Sequence, residues 1–292
     1  MRNTLYARGF LALGLLLAAG CATGKRTVVP PAAQARPALD ATRAELLERY
    51  NAQARRVRSI SAAVEFQPVA GSTFSGVIVE YRDVRGFILA QRPAMIRVLG
   101  QAPVIAKNIF DMVSDGREFH IFLPTKGKFI VGPADYEKAS ARPIENLRPQ
   151  HLTDAIFWSE VPSGSTVLTE EADAAPRRYY VLTVLRNPQA PEIAKKIWFD
   201  RADLSVARIQ RYAAAGRIMA DVAYSAWADT PSADGNMPFP REIRLARPRE
   251  DYQLGIAIRK VTLNEEIAAE KFQLAQPSGT ELVTLGAAGT RP

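Results

Sequence analysis

The sequence predicts a mainly β protein built around one antiparallel meander. Three observations lead to this fold class. From Ile60 onward, short extended runs of apolar residues alternate with turn residues. Outside one middle segment, no stretch of helical length separates these runs. Several runs are apolar on both faces, so the predicted sheet needs cover on both sides.

Fourteen such runs are predicted to be strands. They cover residues 59–66, 73–82, 86–92, 95–100, 109–115, 118–123, 129–131, 164–170, 179–186, 195–200, 206–212, 218–226, 241–246 and 253–263. Asp115-Gly116 separates two of them and is a strong hairpin signal, because both residues tolerate the positive φ of a tight turn. Ala70-Gly71 and Ala215-Gly216 predict similar reversals.

A helix is predicted before the first strand. Asp40 is expected to cap it, since a carboxylate can accept a hydrogen bond from the free N–H groups of the first turn. Apolar residues then recur at three- and four-residue spacing, which predicts one buried helix face. This face consists of Leu46, Leu47, Tyr50 and Ala54.

The middle segment breaks the rhythm of the strands. Residues 134–140 and 147–159 have a helix-like composition, and together they predict a helical cover over one face of the sheet. The apolar face of this cover would consist of Leu152, Ala155, Ile156 and Trp158.

Three architectures could cover both faces of the sheet. The residues 87–90, 109–113 and 179–185 are apolar on both sides. Two packed sheets, a closed barrel, or a curved half-barrel roofed by the helices would each bury them. A half-barrel leaves an apolar cavity of the kind that accepts an acyl chain. A well-filled core without a cavity is the alternative, and the residues alone leave both open.

The N-terminus carries an export signal. Arg2 and Arg8 precede an apolar stretch, residues 10–19, that is well short of the roughly 20 residues of a membrane-spanning helix. The run Leu17-Ala18-Ala19-Gly20-Cys21 ends in the only cysteine of the chain and resembles the lipobox of bacterial lipoproteins. In that motif the cysteine is acylated and becomes the mature N-terminus. An ordinary secretory signal followed by an incidental cysteine is the alternative.

These signals divide the chain into four parts. Residues 1–20 are predicted to be a lipoprotein signal peptide, and residues 21–40 a flexible tether attached to lipid at Cys21. Residues 41–285 form the folded domain, and residues 286–292 are predicted to be disordered. The lipid anchor predicts a location in the cell envelope. Ala22 follows the cysteine where an inner-membrane retention signal has Asp, which favours the outer membrane, facing the periplasm.

Composition and motifs give little support to catalysis. The two histidines, His120 and His151, have no ligand spacing to each other or to a carboxylate cluster, so no metal or cofactor is predicted. The sequence has no Gly-x-Ser-x-Gly elbow and no phosphate-binding glycine loop, and we predict no catalytic residue. Lys and Arg number 38 against 30 Asp and Glu, but they are interleaved. Together with export, this argues against nucleic acid as a partner.

Several fragments, in their order along the chain, resemble the bacterial outer-membrane lipoprotein carrier and receptor superfamily (LolA/LolB-like). The resemblance covers roughly residues 41–285. Its fragments are Leu46-Leu47-Glu48-Arg49-Tyr50, Val57-Arg58-Ser59-Ile60, the hairpin at 112–124, Ile197-Trp198-Phe199-Asp200, Ile209-Gln210-Arg211-Tyr212, Phe239-Pro240-Arg241-Glu242-Ile243, and the segment 272–279.

This resemblance implies a single antiparallel sheet curved into an unclosed half-barrel of about eleven strands, with helices lidding its hollow. It also implies that the hollow holds the acyl chains of a lipoprotein. We predict the lid residues Ile156, Phe157 and Trp158. The predicted residues of the hollow are Val79, Tyr81, Leu89 and Phe119.

The predicted function is that of a lipid-anchored, non-enzymatic binder of acyl chains or lipidated cargo, acting in lipoprotein sorting or insertion at the outer membrane. Its expected partners are the membrane, lipoproteins as cargo, and a periplasmic carrier protein. The alternative is a structural or assembly lipoprotein that binds envelope proteins through its sheet. That alternative predicts a filled core and an exposed apolar patch.

Overall fold

A computed structural model describes residues 37–72, 75–81, 83–102, 107–136, 146–187 and 189–286. Cys21, the predicted signal peptide, most of the predicted tether and the end of the predicted tail lie outside these residues. Residues 37–292 form one compact unit, and the described hydrophobic core lies wholly within it. This part of the chain therefore carries its own core.

Helix α1 (Arg43–Arg56) begins two residues later than Asp40 would allow. Thr42 is the N-cap: its hydroxyl accepts a hydrogen bond from Glu45 N, and the Glu45 carboxylate accepts one from Thr42 N at 2.7 Å. This reciprocal pair is a capping box. The prediction for Asp40 was wrong because its carboxylate accepts instead from Arg201, at 2.8 Å. The predicted buried face is confirmed for Leu46, Tyr50 and Ala54.

Besides three short 3₁₀ helices, the described residues form one further α-helix and fifteen strands. Helix α2 is Pro149–Ile156. The strands are β1 (Ser59–Ser72), β2 (Val77–Glu80), β3 (Val84–Gln91), β4 (Met95–Gln101), β5 (Asn108–Ser114), β6 (Glu118–Leu123), β7 (Lys128–Pro133), β8 (Val167–Ala174), β9 (Arg177–Arg186), β10 (Glu192–Asp200), β11 (Val206–Tyr212), β12 (Ile218–Thr230), β13 (Met237–Arg247), β14 (Tyr252–Leu263) and β15 (Glu281–Thr284).

All fifteen strands belong to one sheet that does not close into a barrel. Its order is β15-β7-β6-β5-β4-β3-β1-β14-β13-β12-β11-β10-β9-β8, with β2 paired to the end of β1. The predicted class, a mainly β, unclosed half-barrel, is confirmed. Each of the fourteen predicted runs corresponds to a strand, β1 to β14. The number of strands therefore exceeds the count of about eleven that the resemblance implies.

Strand β15 departs from the predicted antiparallel sheet. It pairs with β7 in parallel, through the register Glu281↔Lys128 to Thr284↔Val131, so the sheet is mixed. Four residues are too few to show an alternating pattern in the sequence. The reversal predicted at Ala70-Gly71 also shifts slightly, because β1 continues to Ser72 and the turn follows it.

Both helices pack on one face of the sheet, which we call the inner face. The link from β7 to β8 crosses from one half of the sheet to the far edge, and α2 lies within it. Alternate residues of the strands point inward and join the helices in a single core. In β6, for example, Phe119 and Ile121 point inward, whereas His120 lies on the outer face.

The outer face receives its cover from the C-terminal segment. The chain after β14 contacts the outer side of β4 and β6, where Arg97 donates to Lys271 O at 3.0 Å and His120 Nδ1 lies 3.2 Å from Leu274 O. Phe272, which belongs to this segment, is buried. The need for cover on both faces, predicted from runs such as 109–113, is therefore met in this half of the sheet by a C-terminal segment that contains the short 3₁₀ helix Ala269–Phe272, and not by an α-helix.

Candidate functional site

The interior between the helices and the sheet is the candidate site. Four residues that were predicted to line the hollow or its lid lie in this interior, and all belong to the same buried core. They are Phe119, Ile156, Phe157 and Trp158. Phe119 comes from β6, whereas the other three come from the end of α2 and the residues just after it. The fold thus brings residues about forty positions apart into one apolar layer.

Three other predicted residues lie outside this interior. Val79 and Tyr81 are 44% and 43% exposed. Strand β2 pairs only with the last residues of β1, so neither of its faces has a neighbour to cover it. Leu89 points to the outer face, because Ile88 and Ala90 on either side of it point into the core. The sequence placed all three residues in predicted strands, but it did not show which of their faces are covered.

The interior is filled in this form of the protein. The cavity beneath the helices measures about 10 Å³ and is bordered by Ala54, Ile156, Trp158, Tyr224 and Ile243, among others. Ligand pockets usually enclose roughly 300–1,000 Å³. An acyl chain therefore has no room unless α1 or α2 moves away from the sheet.

An aromatic cluster holds the two helices together. The indole of Trp158 stacks on Tyr50 of α1, with centroids 5.5 Å apart and an interplanar angle of 4°. It meets Tyr224 and Trp227 of β12 edge-on, at 5.1 and 6.1 Å. Trp158 Nε1 donates to the Tyr224 hydroxyl at 3.0 Å, and that hydroxyl donates to Ala155 O at 2.8 Å. The indole thereby joins α1, α2 and the sheet.

Arg92 forms a second junction between the same elements, which we call the Arg92 junction. Its guanidinium donates from Nε to Val57 O at 2.9 Å, and from Nη2 to Ala54 O at 2.8 Å and Trp158 O at 2.9 Å. It also lies 5.1 Å from the centre of the Phe157 ring. These carbonyls belong to the end of α1 and the residue after it, and to the segment after α2. Burial lowers the pKa of this guanidinium, which stays charged.

Lys195 anchors the segment after α2 from the opposite half of the sheet. Its ammonium donates to Ser159 O at 2.7 Å and to the Tyr50 hydroxyl at 3.3 Å, and it lies 5.0 Å from the centre of the Tyr50 ring. Burial, with a smaller contribution from Arg211, lowers the pKa of Lys195 to about 8. A lysine surrounded by carbonyls on an inner strand was not foreseen from the sequence.

A polar cluster ties the N-terminal end of α2 to the sheet. Asn146 Nδ2 donates to Glu250 O at 3.2 Å, Gln150 Nε2 donates to Ser114 Oγ, and His151 Nδ1 contacts the Tyr252 hydroxyl. Glu250 also accepts from Arg247. In the part of the chain that the structure describes, Gln150 Oε1, Arg247 Nε and Glu250 Oε2 are buried without a hydrogen-bond partner. An unpartnered buried group of this kind costs about 1–3 kcal/mol.

An exposed apolar hairpin projects beyond the covered part of the sheet. It consists of the end of β1 and all of β2, and we call it the β1–β2 hairpin. Val77 and Ile78 are 62% and 53% exposed, and together with Val79 and Tyr81 they make up half of the large exposed apolar side chains of the described residues. Isolated exposed apolar residues are ordinary, but four within five positions form a patch.

Two further observations bear on chemistry and topology. Over the described ranges, no three His, Cys, Asp or Glu side chains are grouped closely enough to hold a metal ion. Neither α1 nor α2, the helices of the described chain, is long and apolar enough to cross a membrane.

No protein-family model matches the chain, and no curated protein matches it. Among solved structures, the chain is similar to the LolA superfamily protein NE2245 from Nitrosomonas europaea, with 13% identity, a TM-score of 0.46, and coverage of 78% of this chain and 97% of that one. A DUF1329 family protein from Desulfovibrio piger shares 13% identity, with a TM-score of 0.48 and coverage of 78% and 94%.

A third similar structure is a domain from Vibrio parahaemolyticus described as outer membrane lipoprotein-sorting. It shares 9% identity, with a TM-score of 0.45 and coverage of 77% of this chain and 95% of that one.

Proposed function

We propose that this protein is a non-enzymatic binder of acyl chains or lipidated cargo, anchored at Cys21 and acting in lipoprotein sorting or insertion at the bacterial outer membrane. The observation that carries the proposal is an unclosed sheet whose apolar inner face is covered by two short helices. An apolar layer between a sheet and a movable cover can accept an acyl chain, which gains about 0.8 kcal/mol for each CH₂ that it buries.

In this proposal the filled interior is the closed state. The side chains of α2 and Trp158 occupy the space that an acyl chain would take, and lid opening exchanges one apolar contact for another. Such an exchange has a small net free energy, since buried area is replaced rather than lost. The Arg92 junction would contribute to the barrier at the C-terminal end of α2, because its hydrogen bond to Trp158 O must break when that end leaves α1.

The β1–β2 hairpin would contact the membrane during transfer. Its apolar side chains would insert among the acyl chains of the bilayer, while the lipid on Cys21 holds the domain near that surface. In this proposal Val79 and Tyr81 serve the membrane and not the hollow. A periplasmic carrier would deliver the cargo.

A second candidate function is favoured by a specific pair of observations. A structural or assembly lipoprotein should have a filled core and an exposed apolar patch, and the described residues show both features. In that case the β1–β2 hairpin would bind an envelope protein, and the helices would stay closed.

Uptake of a lipopeptide separates the two candidates. The unit 37–292 is mixed with a triacylated peptide or with its unacylated twin, and bound species are counted by native mass spectrometry. Binding of the acylated peptide alone, at one per protein, supports the lipid binder. If neither peptide binds, the acyl-chain proposal is abandoned for the structural one.

The lipid anchor is tested separately, by mass spectrometry of the membrane-bound chain. The mass should show cleavage before Cys21 and added acyl groups, and both should be lost in Cys21→Ser.

A further inference from the structure

The two ends of α2 are attached to the sheet by different chemistry. At the C-terminal end, the backbone carbonyls of Ala155 and Trp158 accept hydrogen bonds from Tyr224 and Arg92. At the N-terminal end, the attachments run through side chains of the polar cluster, and His151 of the helix contacts the Tyr252 hydroxyl of β14. A histidine is the side chain whose charge changes in the physiological pH range.

Three arginines interact electrostatically with His151. Arg247 comes from β13, Arg148 immediately precedes α2, and Arg211 comes from β11. Burial and these three guanidinium groups, in that order, hold the pKa of His151 well below its ordinary value of 6.5. An imidazolium in this position would be desolvated and repelled, whereas the neutral ring fits between the charges.

The acidic groups nearby are already engaged by cations. Glu250, in the turn between β13 and β14, accepts from Arg247. Asp154, on α2 itself, pairs with Arg211. The remaining titratable neighbour is Tyr252, whose pKa is raised by burial, so that it stays a neutral phenol. Glu250 Oε2 has no hydrogen-bond partner, but among the described residues neither of these carboxylates is hydrogen-bonded to His151, whose Nδ1 contacts Tyr252.

We propose that His151 is a proton-operated catch, and that its protonation releases the N-terminal end of α2 from the sheet while the C-terminal end remains attached. This inference rests on the lid assignment of the proposed function and adds its regulation. A neutral His151 completes the closed state, and a charged one is accommodated only after α2 has lifted its first turn into solvent. Acidification then opens the lid at the end farther from Trp158.

The direction of the effect follows from proton linkage. The closed state binds fewer protons than the open state, because its imidazole has the lower pKa. Lowering the pH through about 6.5, the ordinary value of an exposed histidine, therefore favours the open state. Between pH 7.5 and 5.5 the ratio of open to closed molecules should rise about tenfold.

Hydrogen exchange tests the catch without any lipid. Peptides that cover α2 in the unit 37–292 are followed by mass spectrometry at several pH values, and exchange is corrected for the intrinsic rate. Protection of α2 should fall about tenfold between pH 7.5 and 5.5 in the wild type, and it should stay constant in His151→Gln. The matched control is His120→Gln, because His120 lies on the outer face and should leave the wild-type response intact.

The outcomes separate the catch from the function on which it rests. An equal loss of protection in His151→Gln and wild type overturns the catch, as does a loss that spreads over β1 and β14. If His151→Gln fails to fold, His151→Asn and Tyr252→Phe provide the comparison, and Tyr252→Phe should keep the pH response. Because no acyl chain is present, a negative result leaves lipopeptide uptake standing, and failed uptake leaves the catch standing.

Discussion

The indole of Trp158 lies parallel to the phenol ring of Tyr50, with 5.5 Å between the ring centroids. Tyr50 belongs to α1, and Trp158 follows α2 by two residues. The hydroxyl of Tyr50 also donates to Ser159 O at 2.9 Å, which fixes the chain just beyond the indole. This pair makes the two helices a single cover, so that a change at either ring affects both.

Replacement of Trp158 by alanine should lower the free energy of unfolding by about 3–5 kcal/mol, the usual cost of removing a buried aromatic side chain. Trp158→Phe should cost less, because it keeps an aromatic ring against Tyr50. It loses the hydrogen bond to Tyr224 but only part of the side-chain volume. Urea denaturation measures both. Equal stabilities of Trp158→Ala and wild type would show that the cluster does not hold the cover.

Replacement of Arg92 by methionine should loosen the cover. Three carbonyl acceptors lose a charged donor, and the expected destabilisation is about 2–4 kcal/mol. In the proposed function the same change lowers the barrier to opening, so lipopeptide should bind faster than to wild type in a stopped-flow assay. Arg85→Met is the matched control, because Arg85 is exposed and lies near the start of β3, the strand that Arg92 follows. Unchanged uptake rates in Arg92→Met would remove the junction from the proposed mechanism.

An aspartate substitution distinguishes two residues that the sequence placed together. Phe119 is fully buried, so Phe119→Asp forces a carboxylate into the core and should unfold the domain. Tyr81 lies on the exposed hairpin, so Tyr81→Asp should change stability by less than about 1 kcal/mol. Circular dichroism during thermal melting checks both. A folded Phe119→Asp protein would mean that β6 does not face the core.

These two residues show what the sequence could predict. The alternation of β6 puts Phe119, Ile121 and Leu123 on one face, and in the structure Phe119 and Ile121 of that face are buried. The same alternation in β2 assigned Val79 and Tyr81 to one side of the strand. Whether that side is covered depends on how far the neighbouring strands extend, which is a tertiary property that a local pattern does not contain.

The junctions of the cover were beyond prediction for a similar reason. Arg92 and Lys195 donate mainly to backbone carbonyls, and a carbonyl has no sequence signal. His151 was visible as one of only two histidines, but its three cationic neighbours come from β11, β13 and the start of α2. The short strand β15 was missed because a parallel partner on the edge of the sheet leaves no turn signal between the two strands.

The β1–β2 hairpin can be tested apart from the cover. The double change Val77→Ser and Ile78→Ser removes the two most exposed side chains of the patch and should alter stability by no more than about 0.5 kcal/mol per site. In the proposed function it should reduce binding of the unit 37–292 to vesicles in a flotation assay. Leu168→Ser is the matched control, since Leu168 is 57% exposed on β8, an edge strand of the sheet that is not paired with β1 or β2. Loss of flotation in both variants would point to general surface hydrophobicity.

Lys195 predicts a stability that depends on pH in the alkaline range. Its pKa is about 8 in the folded protein, because burial disfavours the ammonium, and about 10.4 in the unfolded chain. Between these values the unfolded chain binds the additional proton, so the free energy of unfolding rises with pH. Below pH 8 both states are protonated, and the buried ammonium lowers stability by its full amount. The gain between pH 8 and 10 should be about 2 kcal/mol.

The rise of the free energy of unfolding with pH ends near pH 10, because tyrosines then ionise. Burial raises the pKa of Tyr50, so its phenol stays neutral in the folded protein while exposed tyrosines of the unfolded chain ionise near pH 10 and reverse the trend. Urea denaturation of wild type and Lys195→Met at pH 7.5, 8.5 and 9.5 isolates the lysine, because all other groups are common to both proteins. The free energy of unfolding of wild type should increase relative to that of Lys195→Met as the pH rises. Parallel pH profiles would mean that Lys195 is hydrated in solution and does not titrate near pH 8.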